Sequence, residues 1–529
     1  MFRFKPDLFS SLAPSLAPSL QAAEPADGAP RSVIGLGGAI ALIVGGVIGA
    51  GIFKAPAMVA SMTGSAPLMF TAWALGGAMS LVGALCYAEL STAYPSAGGD
   101  YHFLHRAYGR PVSFLFAWAC FSVIATGSIA LLGFVFGDYL NQVVPLGRAG
   151  PALYAGGAII LLSWLNIRSV RAGTTAQAWL TAIEVGGLLL IVFAAVTLAD
   201  AGGAGQALAP STAVGVWSAG SAGSAGAGAP AGLASFGLAM VFVLLTYGGW
   251  NEASCLGAEL IDARRNIVRA LVLSLLAITA LYLLVTWAYW QGLGLAAMSR
   301  SEAIAADLLR AAFGPGGAAA ISIIIAIAAI ISINATIIVG ARSSYAAGRD
   351  WPALAPLGVW DQRRGTPSNA LRVQCAAALL LVLAGAWTGS GFKAMVEFTA
   401  PVFSLFFLLA GVSLFVLRRR DPGQPRPFRV PLYPLLPLAF CAMCACMLWA
   451  SLSYVYNPLL GGWNAAWIGV AVLLAGCVVS HAFDMQQEWP PERTERVAGR
   501  AIYSWTITEA NKRAALAAPA LAATAASQP

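Results

Sequence analysis

Gly45, Gly46, Gly49 and Gly51 crowd the middle of the apolar stretch GGAIALIVGGVIGAGIFKAP, with Pro56 just beyond. Each glycine in a helix interior costs about 1 kcal/mol relative to alanine, so this spacing predicts a helix broken near its centre. Roughly two hundred residues on, FVLLTYGGWNEASCLGAEL repeats the arrangement, with Gly248 and Gly249 followed by Asn251 and Glu252. A broken helix frees main-chain groups that a continuous one consumes. Amide N–H groups at Gly49, Ala50 and Gly51 would open the outer half-helix, whose positive end attracts a carboxylate. Carbonyls at Val47, Ile48, Leu245, Thr246 and Tyr247 would close half-helices and suit an ammonium. An α-amino acid offers both groups. Glycine for close helix packing accounts for one such stretch; two matching breaks point to a substrate site between them.

A second constellation is Thr174, Gln177, Thr181 and Glu184, one polar stripe at helical spacing on an otherwise apolar stretch. Ionisable groups are costly in lipid unless they face a protein interior, which makes each a functional candidate. Glu184 is therefore read either as a proton carrier or as a structural carboxylate hydrogen-bonded to neighbouring helices. Glu252, beside the second break, either meets a cationic group, relays protons or caps a half-helix. Glu89 and Glu259, near inner helix ends, are expected to pair with loop arginines.

The elements that must hold these residues are long and apolar. Of 529 residues only 10% are charged and 59% are hydrophobic, against about 25% and 45 to 50% in soluble domains. The mean hydropathy is +0.76. This composition excludes a soluble enzyme. The net charge of +8 resides in short loops rather than in a basic arm, so nucleic acid is not an expected partner. The eight cysteines lie in apolar stretches as small hydrophobes, and the three histidines form no metal-ligating constellation; neither cofactor nor metal is expected. A membrane enzyme acting on lipids would want clustered acids, histidines or a metal.

About twelve stretches are long enough to cross roughly 30 Å of hydrocarbon as helices: 33–61, 67–92, 111–140, 151–167, 174–199, 232–260, 267–292, 316–341, 369–388, 393–417, 430–454 and 464–484. With the N-terminus cytosolic, seventeen arginines fall in inside loops, against Arg148, Arg300, Arg310 and Lys393 outside, which puts both termini in the cytosol. Residues 1–31 read as a disordered cytosolic tail without a signal peptide, 200–230 as a flexible outer loop and 485–529 as a cytosolic C-terminal tail. The transmembrane domain is then 32–484, with repeat one at about 33–199, repeat two at about 232–417 and two further helices at about 430–484.

These residues carry a family resemblance. GAGIFKAP resembles the G-x-G-I-F signature of the amino acid-polyamine-organocation superfamily, and YGGWN is similar to the sixth-helix motif of its L-type amino acid transporter branch. YAELSTAYPSAGGDYHFLHRAYG, RRNIVRAL and RPFRVPLYPLLP add three more matches in order. The resemblance implies an all-α integral membrane protein with a leucine-transporter-like fold: five plus five inverted helices, the first and sixth broken, and two extra helices. It implies alternating access and transport of amino acids or related amines across the cytoplasmic membrane, without covalent chemistry. A polyamine or organic-cation carrier, or a non-transporting sensor with the same site, would share these features.

Carried over position by position, the resemblance puts substrate binding on Ile48, Gly49, Ala50, Gly51, Leu245, Thr246, Tyr247, Gly248 and Asn251. Many relatives have an aromatic gate where this chain has Leu245, so closure is expected from Tyr247, Trp250 or another helix. Asn251 either hydrogen-bonds substrate or unwound backbone, or caps the inner half-helix. Proton-coupled relatives place a lysine at the position of Glu184. Ser332 and Thr336 stand near where sodium-coupled cousins supply hydroxyls to the ion; they either ligate or bond back to their own helix. Lys54 and Glu397 correspond to a basic–acidic outer gate, with snorkelling of Lys54 as its alternative.

Overall fold

A computed structural model of the protein describes residues 35–94, 99–168, 175–200, 233–251, 263–361, 364–387, 391–455, 465–484, 496–497 and 500–501. The expected tails and the 200–230 loop lie outside the described residues, apart from Asp200 and a two-stranded ribbon, Arg496–Val497 with Arg500–Ala501, in a separate unit formed by the chain ends. Thr174, Glu252, Cys255, Glu259 and the side chain of Gln177 also lie outside them.

The unit Ser32–Glu488 is helical. Helix α1 (Leu36–Val47) stops at the first glycine cluster; a 3₁₀ turn (Ala50–Phe53) and α2 (Ala55–Thr63) continue beyond it. Gly64, at φ 62°, ends α2, and Ser65 starts α3 (Ala66–Ala93) by accepting the Leu68 N–H at 3.4 Å. Then come α4 (Gly99–Tyr108), α5 (Arg110–Ala119), a π-turn (Cys120–Ile124) that runs into α6 (Ala125–Val143), α7 (Gly150–Arg168), α8 (Thr175–Asp200), α9 (Leu233–Thr246) and α10 (Ala263–Met298). After α11 (Ile304–Asp350) follow α12 (Ser368–Trp387), α13 (Gly391–Arg420), α14 (Leu435–Val455) and α15 (Ala465–Asp484).

By length and composition, nine helices among the described residues can cross a membrane, and three shorter apolar ones join them. The eighth expected stretch is longer than its apolar run: α11 bends at Gly314 (φ 71°) ahead of Pro315 and extends to Asp350. The amphipathic helix α4 falls between the second and third expected stretches. Helix α6 packs against α7, α11, α12 and α13, whereas α1 packs on α8 and α10, and α2 on α3 and α9. The two broken elements thus sit against a surround of long helices. Outward faces stay apolar, with Leu380, Leu383 and Trp387 exposed on α12 and Leu161 and Leu165 on α7, as a lipid solvent requires.

Candidate functional site

The first break is two residues long. Ile48 leaves helical geometry at ψ 89° and Gly49 is extended at φ −109°, ψ −178°. The second begins after Thr246, with Tyr247 and Gly248 in a turn and Gly249 at φ 104°. The two meet backbone to backbone: a Cβ on Gly249 would stand 2.5 Å from the Gly46 carbonyl oxygen, closer than any side chain tolerates. One Cβ on Gly51 would touch the Thr246 side chain at 3.4 Å, while one on Gly49 would meet nothing within 4 Å. Ile48, Gly49, Ala50 and Gly51 are therefore brought together with Leu245, Thr246, Tyr247 and Gly248, around open space at Gly49.

The main-chain groups divide differently from the sequence expectation. The Gly49 N–H is spent on the Val47 carbonyl at 2.9 Å, so the donors that begin the 3₁₀ turn are Ala50 and Gly51, which by position lack an intrahelical acceptor. The Val47 carbonyl also accepts the Tyr282 hydroxyl at 3.0 Å, and the Thr246 carbonyl lies 3.3 Å from the same hydroxyl. Gly248 N–H donates to Leu245 at 3.1 Å. A carbonyl oxygen has two acceptor positions, so the Val47 carbonyl is filled while those of Leu245 and Thr246 keep capacity for an ammonium. Tyr282, on α10, was not singled out from the sequence; one tyrosine among several on an apolar run carries no positional signal.

Tyr247 does not cover the site. Its hydroxyl donates to the Trp73 carbonyl at 3.2 Å, and its ring packs 6.0 Å from Trp73 and 5.0 Å from Tyr282. Trp250 points toward Tyr87, at 5.1 Å, and stacks on Phe407 at 5.7 Å. Both aromatics are walls behind the break rather than lids. Asn251 donates its side-chain amide to Asp100 of α4 at 3.3 Å; Asp100 too was missed, because it reads as one polar residue in a loop.

Glu184 is buried, and neither carboxylate oxygen has a hydrogen bond of normal geometry. The Ser332 hydroxyl lies beside it, and Tyr282 is within its electrostatic reach. Three residues on along α8, a Cβ on Gly187 would meet Ile324 and Ile321 of α11 at 3.4 and 3.7 Å and Phe53 at 3.8 Å, which sets this face of the helix against α11 and the 3₁₀ turn after the first break. Ser332 thus joins Glu184. Thr336 turns back, donating to the Ser332 carbonyl at 2.9 Å.

The expected Lys54–Glu397 pair is not formed. Lys54 follows the 3₁₀ turn, where the kink (φ −132°, ψ −41°) aims its side chain at α6; there it pairs with Asp138, with Phe392 beneath the ammonium at 5.6 Å. Glu397 lies one turn from Lys393 on its own helix, at 3.8 Å. Lys54 is only 6% exposed, so it does not snorkel to the surface. Next to it, the Tyr139 hydroxyl donates to the Phe53 carbonyl at 2.5 Å. Adjacent residues of the first span are therefore held by adjacent residues of α6.

At the other end of the bundle, Glu89 accepts two hydrogen bonds from Arg418, at 2.7 and 2.5 Å, and one from the Val430 N–H at 2.7 Å, with Arg426 at 3.7 Å. The RPFRVPLYPLLP segment thus ties α3 to the end of α13, as expected for Glu89.

Apolar helices of spanning length, two of them replaced by broken ones whose exposed main chain meets at the centre, define a membrane transporter of small polar solutes. The amino acid permease family model matches residues 34–489. The chain belongs to that family. It is 28% identical to the Asc-type amino acid transporter 1 of Mus musculus over 84% of its length and 80% of the relative's. It is 29% identical to the large neutral amino acids transporter small subunit 2 of Rattus norvegicus, over 85% and 80%. It is 28% identical to the human b(0,+)-type amino acid transporter 1, over 78% and 81%. The protein is thus an amino acid permease, a multi-pass membrane transporter and not an enzyme.

Proposed function

We propose that the permease moves an α-amino acid across the cytoplasmic membrane by alternating access, with its zwitterionic end held at the two breaks. The carboxylate lies on the Ala50 and Gly51 N–H groups, and the ammonium on the carbonyls of Ile48, Leu245 and Thr246. The backbone contact between Gly249 and Gly46 carries this reading, because it keeps donors and acceptors within one small ligand's length. Twelve spans, in two inverted five-helix repeats plus two helices, with both termini cytosolic, fit the arginine asymmetry and the paired breaks.

Glu184 is the coupling residue in this reading. A buried carboxylate beside Ser332 and close to the first break can take up a proton as substrate binds and release it on the other side. The alternative is sodium coordinated by Ser332 and Thr336; the Thr336 hydroxyl, which donates its hydrogen to the Ser332 carbonyl, keeps its lone pairs for an ion. Uptake into proteoliposomes with and without an inward proton gradient tests this. Stimulation by the gradient that disappears in Glu184→Gln supports proton symport; gradient-independent uptake that requires amino acid inside assigns exchange and leaves Glu184 structural.

A further inference from the structure

Helix α4 lies outside the spanning segments, yet it buries Phe103, Leu104 and Ala107 along one face. Its first turn also buries a carboxylate. One oxygen of Asp100 accepts the Asn251 amide at 3.3 Å. The Tyr87 hydroxyl of α3 approaches the same carboxylate, and it and the second oxygen of Asp100 are both buried without a hydrogen bond of normal geometry. Aromatic contacts run in parallel: Tyr87 packs edge-on against Phe103 of α4 at 6.3 Å and against Trp250 at 5.1 Å. The loop helix therefore reaches the second break at two consecutive residues, Asn251 directly through a charged hydrogen bond and Trp250 indirectly, through the Tyr87 ring of α3. An ordinary loop helix has no need to bury a carboxylate, which costs free energy unless its partner earns it.

We infer that Asp100 is a positioning residue for transport: by accepting the Asn251 amide it fixes the end of the second break, so that movement of α4 and opening of the site on that side of the membrane are one event. This rests on the function proposed above. Asp100 does not touch substrate; it acts through Asn251, two residues from the glycine that meets the first break. Burial lifts its carboxyl from 3.8 to about 6, so the carboxylate that holds Asn251 is kept at a cost, consistent with a contact that breaks and reforms.

The test exploits the reversibility of an amide–carboxylate pair. Asp100→Ala, Asn251→Asp and the reversed pair Asp100→Asn/Asn251→Asp are compared with the wild type in proteoliposomes, with amino acid presented to the α4 side. Thermal unfolding in detergent runs alongside as a control for folding. A charge-assisted hydrogen bond predicts that Asp100→Ala raises KM about tenfold or more. It predicts that Asn251→Asp, which sets two carboxylates together, is worse, and that the reversed pair transports better than Asn251→Asp alone. Asp100→Ala with the wild-type KM, or a reversed pair no better than Asn251→Asp, overturns the inference while leaving the permease reading intact. A loss confined to unfolding temperature, with KM per folded protein unchanged, assigns Asp100 to structure and also overturns it. If Asp100→Ala does not fold, the reversed pair against Asn251→Asp decides alone. Absence of wild-type uptake overturns the proposed function and this inference with it.

Discussion

The Tyr282 hydroxyl donates to the Val47 carbonyl at 3.0 Å, across 235 residues of sequence, and stands 3.3 Å from the Thr246 carbonyl. One side chain of α10 thus caps the ends of both half-helices and lies within the electrostatic reach of Glu184. Tyr282→Phe keeps the ring and its packing on Trp73 at 5.6 Å but removes the single hydroxyl hydrogen that the Val47 and Thr246 carbonyls share. A lost buried hydrogen bond costs about 1 to 3 kcal/mol. The expected outcome is a folded protein whose uptake rate falls about tenfold or more, checked by initial-rate uptake alongside size-exclusion profiles; wild-type uptake would mean that the cap is incidental.

Two glycines that look alike in the sequence should behave oppositely. Gly249→Ala places a methyl 2.5 Å from the Gly46 carbonyl oxygen at φ 104° and should destabilise the protein by about 2 kcal/mol or more, visible as a lowered unfolding temperature. Gly49→Ala meets nothing within 4 Å and has an ordinary φ of −109°. It should unfold at the wild-type temperature while raising KM, because its methyl enters the space proposed for substrate.

The Lys54–Asp138 pair makes a double-substitution prediction. Removing one member of a buried ion pair strands the other charge, at about 3 to 5 kcal/mol, whereas replacing both with apolar groups is nearly neutral. Lys54→Met and Asp138→Leu should each lower the unfolding temperature, and the double variant should recover most of the loss. Glu397→Gln combined with Lys54→Met should show additive effects, since the two residues do not pair.

How much of this was legible in the sequence follows from what kind of signal each residue leaves. Glycine runs betray a break because they contradict the helix around them, and the long apolar stretches locate the spans that hold it. Glu184 stands out by its charge in an apolar helix. Pairings do not. Lys54 finds Asp138 and Asn251 finds Asp100 across 84 and 151 residues, and such partners are set by how helices rotate against one another. The gate expected from Lys54 and Glu397 failed for that reason: the kink after the 3₁₀ turn sends Lys54 to α6 instead of α13. Tyr247 and Trp250 likewise sit at the break by position, but their rings are buried against Trp73, Tyr87 and Phe407, which only the packing decides.

Acid should stabilise the Asp100 site. Its folded carboxyl titrates near 6 against an ordinary 3.8, and burial is the cause, opposed by the Tyr87 and Asn251 hydrogen bonds. A carboxyl raised on folding binds its proton more tightly in the folded state. This group therefore imposes no penalty below about 3.8, a growing one as pH rises to about 6, and a constant one above, worth about 3 kcal/mol in total. Asp100→Asn cannot ionise. Its unfolding temperature relative to wild type should climb between about pH 3.8 and 6 and then level off; a gap independent of pH would contradict the assignment.

Recognition of both ends of a zwitterion is the centre of this account, and competition for uptake measures it directly. Radiolabelled leucine entering proteoliposomes should be competed by unlabelled leucine, but only weakly by the amine that lacks its carboxylate or by the acid that lacks its amino group, because each leaves either the Ala50 and Gly51 donors or the Ile48, Leu245 and Thr246 carbonyls unmet. If leucine itself is not carried, the same comparison applies to whichever amino acid is. An amine that competes as well as the amino acid would contradict the account and mark the protein as a carrier of organic cations; binding without flux would mark it as a sensor.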